Sequence, residues 1–180
     1  MAQISNIHRK LREAKFFFRH VCDKKSALNL ESEALEFSLS AFLSAGLSVI
    51  GFFCEKQNKQ YKPWFQEWRM ALADGDRKLL KEMSRLRNAE VHEEGAEAHA
   101  AVEMVPLREI RMGPQAHIAY GFDGPPGTPP LQMGQKIYHF QIGGTKEEVI
   151  GTCIRYVELL EKLVQEFDLA AAGGRFTQPS

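Results

Sequence analysis

Phe37-Ser38-Leu39-Ser40-Ala41-Phe42-Leu43-Ser44-Ala45-Gly46-Leu47-Ser48-Val49-Ile50-Gly51-Phe52-Phe53-Cys54 is a run of 18 residues without a charge. Length alone makes it a candidate membrane span, at the short end of the spanning range. Its small and polar residues argue otherwise: Ser38, Ser40, Ser44, Ser48, Gly46 and Gly51 interrupt the apolar surface. Leu35, Leu39, Phe42, Val49 and Phe53 recur at helical spacing, which makes one face continuously apolar. The expectation is the central helix of a bundle, from about Glu31 to Lys56, with small residues where other helices approach closely.

The flanking segments repeat the helical pattern. Ile7, Leu11, Ala14, Phe18 and Val21 lie at steps of four and three, predicting a first helix over Ser5 to Cys22. The polar run Asp23-Lys24-Lys25-Ser26 reads as the break after it. A third helix is expected near Lys62, where Pro63 suits the first turn and Trp64, Phe65, Trp68 and Leu72 supply an apolar face. Asp74-Gly75-Asp76 ends it and begins a fourth from near Asp76, carrying Leu79, Leu80, Met83 and Leu86. This fourth helix fades in the acidic stretch from Glu93 to Ala100.

Character changes after residue 100. Val102 to Met112, Gln115 to Phe122 and Lys136 to Ile142 read as strands. Gly121 to Gly134 holds four Gly and four Pro and reads as a loop. A small antiparallel β insertion over about 101–143 is expected, with Pro106 at an edge or a break. Thr145-Lys146-Glu147-Glu148 then matches a capping box. A C-terminal helix over 145–168 follows from Val149, Cys153, Tyr156, Leu160, Leu163 and Phe167. It either closes the bundle or pairs with a second subunit, and residues 169–180 read as a flexible tail. The fold class is therefore mainly α, a single domain, with the helical bundle over 5–98.

Composition sets outer limits. The 180 residues carry 23 Lys and Arg against 23 Asp and Glu, with 44% apolar residues. That excludes a disordered tail protein, a collagen-like fibre and a uniformly basic nucleic-acid binder. Cys22, Cys54 and Cys153 are an odd, widely spaced set. They make neither a disulfide framework nor a zinc site, and Cys54 and Cys153, among apolar neighbours, read as buried free thiols in a reducing compartment. A cytoplasmic location is expected, since the N-terminal apolar residues are interleaved with Arg9, Lys10, Arg12, Lys15 and Arg19 rather than forming a signal peptide.

The segment that carries chemistry is Arg85-Leu86-Arg87-Asn88-Ala89-Glu90-Val91-His92. Asn88 and His92 are four apart and share one helix face. Arg87 adds a permanent cation, and His92 an imidazole that titrates near neutrality. These groups can cleave a phosphodiester without metal. A His takes or gives the proton, an Arg stabilises charge on the phosphate oxygens, and an Asn orients. An Arg followed at this kind of distance by a His is cheap, and chance supplies about one in this composition. Requiring Asn directly after the Arg lowers that to about 0.01.

Arg87-Asn88-Ala89-Glu90-Val91-His92 resembles the signature of the HEPN superfamily: an Arg, a polar residue that is often Asn, and a His a few residues on. The resemblance covers residues 5 to 95 and extends to 145 to 167. It implies a helical bundle acting as a homodimer, with Arg and His of both subunits facing one cleft. It also implies a toxin or defence endoribonuclease, with a nucleotidyltransferase-type antitoxin as partner. Arg87, Asn88 and His92 are then the catalytic candidates, and Glu36 the supporting acid.

Other features bear on partners. His8, Arg12, Lys15 and Arg19 form a basic stripe on the first helix, and Arg12, Lys15 and Arg19 are candidate RNA contacts. No cofactor and no metal are expected, because His99, His117 and His139 show no ligand spacing. The rival class is a non-catalytic dimeric module that binds a nucleotide or a protein. The acidic residues Glu90, Glu93 and Glu94 beside the motif favour it. A membrane-associated protein built on residues 37–54 is a third reading.

Overall fold

The computed structural model describes residues 2–26, 32–92, 99–106, 132–142 and 145–176. Helix α1 spans Ala2–Ser26 and α2 spans Ser32–Gly51. Two 3-10 turns, Phe52–Cys54 and Lys56–Tyr61, lead into α3, Lys62–Ala71. Helix α4 is Asp74–His92. Strands β1, His99–Pro106, β2, Gln132–Ile142, and β3, Thr145–Glu148, precede α5, Val149–Ala172. The fold is mainly α with a small antiparallel sheet. The expected strand over 115–122 lies outside the described residues.

The core follows the sequence periodicity. Ile7, Ala14 and Val21 of α1 are fully buried, as are Phe42 and Val49 of α2 and Cys153, Leu160, Leu163 and Phe167 of α5. Helix α2 contacts α1, α4 and α5, so its apolar surface is taken up from several sides. Ala34–Cys54 is also long and apolar enough to cross a membrane by length and composition. Phe37, in its first turns, is exposed.

Aromatic rings close one end of the bundle. Phe167 meets Phe52, Phe53 and Tyr61 edge-on at 5.9, 5.2 and 5.0 Å, and Phe53 stacks on Phe65 at 4.7 Å. Offset and edge-on pairs of this kind each add about 0.5–1.5 kcal/mol beyond area burial. Here α2 stops at Gly51 instead of running to Lys56. The buried Asn58 Nδ2 donates to the Phe52 carbonyl at 2.8 Å and to Glu55 Oε2 at 3.1 Å. That bond satisfies a carbonyl which a continuing helix would have used.

Other boundaries depart from expectation. Residues 23–26 continue α1 instead of breaking it, because polar residues on the outer turns of a helix cost little when its inner face is already docked. The capping box at Thr145 does not form. Residues 145–148 are instead strand β3, with Ile142 opposite Thr145 and His139 opposite Glu148. Only Gly143 and Gly144 separate the two paired strands, so backbone groups that would have needed a cap are satisfied across the ladder. The C-terminal helix thus begins at Val149, and the insertion extends past residue 143. Its last turns reach Ala172, and Phe176 packs on Tyr61 at 5.0 Å, so the chain from 169 to 176 is not a free tail.

The sheet order is β1-β2-β3. Pro106 ends the edge strand β1, opposite Gln132, and the end of an edge strand is a place where proline is tolerated. Phe140 of β2 is fully buried and ties the sheet to the helical core.

Candidate functional site

Helix α4 begins with Asp74 and Asp76 in its first turn, where carboxylates meet the positive end of the helix dipole. Leu79, Leu80, Met83 and Leu86 are buried and hold the helix against its neighbours. The opposite stripe is polar. Arg77, Lys81, Ser84, Asn88 and His92 follow at steps of four, three, four and four, and therefore share one side of the helix.

Asn88 is exposed on that stripe, and His92, the last residue of α4, follows one turn later. The His92 side chain, and those of Glu90, Glu93 and Glu94, lie outside the described residues. Arg87 sits about 100° round the helix from Asn88 and is half-buried. Its Nη1 donates to Asn88 Oδ1 across a long 3.4 Å. Its Nε is buried and makes no hydrogen bond among the described residues. No described carboxylate pairs with Arg87. In contrast, Arg85 Nε donates to Glu82 at 2.8 Å, and Arg77 pairs with Asp74. Of the arginines on this helix, Arg87 alone has no described ion pair. An uncompensated guanidinium N–H at the edge of a core is a group that a bound anion or water would satisfy.

The remaining candidates are dispersed. Glu36 is exposed in the first turns of α2. Arg12 and Arg19 are exposed on α1, but Lys15 is held by Glu161 of α5. His8 Nε2 lies 3.1 Å from Asp168 Oδ1. Seven residues forward on α1 answer seven residues back on α5, so half of the expected basic stripe is an antiparallel seam between helices. Lys10, off the stripe, reaches Glu55 at 2.6 Å. Among the described residues no group of three His, Cys, Asp or Glu is placed to hold a metal ion.

Periodicity alone missed a cleft between α2, α3 and α4. It measures about 400 Å³ and is lined by Ile50, Phe65, Arg69, Arg77, Leu80, Lys81 and Ser84. The signal available in the sequence is the Arg77, Lys81, Ser84 spacing, which puts two cations and a hydroxyl on one side of α4.

No protein-family model, no curated protein and no solved structure matches the chain.

Proposed function

We propose that this chain is a HEPN-like, metal-independent endoribonuclease of toxin or defence type, acting as a cytoplasmic homodimer. The observation that carries the reading is the disposition of the motif on α4. Asn88 is exposed on α4, His92 follows one turn later in the same continuous helix, and beside Asn88 stands a half-buried Arg87 with no described carboxylate partner.

In this reaction the 2′ oxygen of a ribose attacks the adjacent phosphorus as the bond to the 5′ oxygen breaks. The products are a 2′,3′-cyclic phosphate and a free 5′ hydroxyl. His92 takes the 2′ proton or supplies one to the leaving oxygen. Arg87 neutralises charge gathering on the non-bridging oxygens. Asn88 orients Arg87 or the phosphate. Two copies of the helix supply the full set of groups to one cleft, and a nucleotidyltransferase-type antitoxin is the partner this reading entails.

A second reading, a non-catalytic dimeric module that binds a nucleotide or protein, draws on the α1–α5 seam. His8 and Lys15 already face carboxylates of the same chain, which weakens that surface for a polyanion.

The test is cleavage of a mixed RNA pool in EDTA by wild type, Arg87→Ala and His92→Ala, each verified as folded. Activity in the wild type alone, with cyclic-phosphate ends, supports the enzyme. Folded, dimeric and inactive wild type favours the binding module.

A further inference from the structure

We infer that the cleft between α2, α3 and α4 is a binding site for a phosphate group. Arg69 enters from the last turn of α3, while Arg77 and Lys81 enter from successive turns of α4. Ser84 lines the space one turn further on, its hydroxyl donating to the Leu80 carbonyl at 2.9 Å. Among the described residues no carboxylate lines the space. Arg77 is anchored at the rim by Asp74 and by the Met70 carbonyl, 3.4 Å from its Nη1. Among the described residues, no carboxylate pairs with Arg69 or Lys81. Arg69 and Lys81 are then the two cations at this opening with no described carboxylate, and a dianion removes the repulsion between them. A single carboxylate would leave one of the two charges unanswered. A phosphate accepts from forked guanidinium groups and from an ammonium together.

The floor narrows the ligand further. Ile50, Phe65 and Leu80 form it, while Arg69 and Lys81 stand exposed at the rim. The floor offers no open aromatic face, because Phe65 is stacked between Phe53 at 4.7 Å and Trp68 at 6.0 Å. A flat base gains little here, so the phosphate itself carries the recognition. Its source is either a phosphorylated small molecule or a nucleic-acid strand.

Lys81 and Asn88 lie on the same stripe, about 10 Å apart along the axis at ~1.5 Å per residue. A strand seated in the cleft would thus run toward the motif. That strand version rests on the proposed ribonuclease; the phosphate site stands on the cleft alone.

The experiment measures pyrophosphate binding by calorimetry and binding of a labelled single-stranded RNA by anisotropy. Wild type is compared with Arg69→Glu/Lys81→Glu, whose substituted residues are exposed, and with His92→Ala. The expected result is pyrophosphate binding that weakens roughly tenfold or more in the double variant, as loss of two charge-assisted contacts implies, and is unchanged in His92→Ala. RNA displaced by pyrophosphate identifies a strand as the occupant. Pyrophosphate bound without effect on RNA identifies a small phosphorylated ligand. Absence of pyrophosphate binding, or equal binding by wild type and a folded double variant, overturns the site whatever the ribonuclease assay shows.

Discussion

A Cβ placed on Gly46 of α2 would lie 2.6 Å from Tyr156 Cε1 of α5 and 3.1 Å from its hydroxyl oxygen. Tyr156 is buried and meets Phe42 edge-on at 5.9 Å. The ring therefore has little room to give, and the helices approach closely because residue 46 has no side chain. Gly46→Ala should destabilise by about 1–3 kcal/mol, as overpacking outweighs the better helix propensity of Ala. Gly51 is the internal control, since a Cβ there meets nothing within 4 Å. Gly51→Ala should be neutral or mildly stabilising. Urea unfolding of both variants checks the pair, and equal effects would refute the close-approach account.

Cys153 is buried as expected, but Cys54 is exposed rather than buried, because α2 ends at Gly51 and Cys54 falls at the end of the 3-10 turn; Cys22 is half-buried. Burial pushes the Cys153 thiol well above its ordinary 9.0, helped by the nearby Cys22. Iodoacetamide followed by peptide mass spectrometry should therefore label Cys54 first and spare Cys153 until the chain unfolds.

The same burial makes stability fall in alkali. Cys153 and Tyr156 are both held protonated in the fold, Tyr156 well above its ordinary 10.0. The unfolded chain releases those protons from about pH 9 upward while the folded chain keeps them. Their contribution is complete below that range and is lost as pH rises through it. Urea midpoints that stay level from pH 8 to about pH 11 would contradict this.

Asn58 is buried, and its Nδ2 bonds the Phe52 carbonyl at 2.8 Å. Asn58→Ala leaves that carbonyl unsatisfied where α2 gives way to the 3-10 turns. A loss of about 1–3 kcal/mol is expected, read from the thermal midpoint.

Arg12 is exposed on α1, whereas Lys15 is engaged by Glu161. If α1 contacts RNA, Arg12→Ala should weaken binding more than Lys15→Ala. The Lys15–Glu161 coupling itself should be below about 1 kcal/mol in a double-mutant cycle, because both side chains are some 40% exposed. RNA affinity by anisotropy at matched salt decides between the two positions.

The helical apolar faces were legible from order alone, since a period near 3.6 needs no partner to be seen. Leu35, Leu39, Phe42, Val49 and Phe53 all prove buried, and Pro63 lies in the first turn of α3. The placing of Arg87-Asn88-x3-His92 on a single helix was readable too, since α4 runs unbroken from Asp74 to His92.

Residues 145–148 mark where local reading stopped. Thr145 to Glu148 satisfies the chemistry of a helix cap, yet pairing with β2 satisfies the same backbone groups across a ladder, and sequence cannot rank the two without the partner strand. The basic stripe stopped in the same way. Periodicity put His8 and Lys15 on one side of α1, but only the docking of α5 brought Asp168 and Glu161 opposite them. The cleft needed more still, because Ile50, Phe65, Arg69 and Lys81 come from three helices. Order along the chain determined which faces were apolar and which residues shared a turn. Tertiary packing decided which charges were spent within the fold and which remained facing outward, because ion pairs and clefts form between elements whose distance in space is unrelated to their distance in sequence.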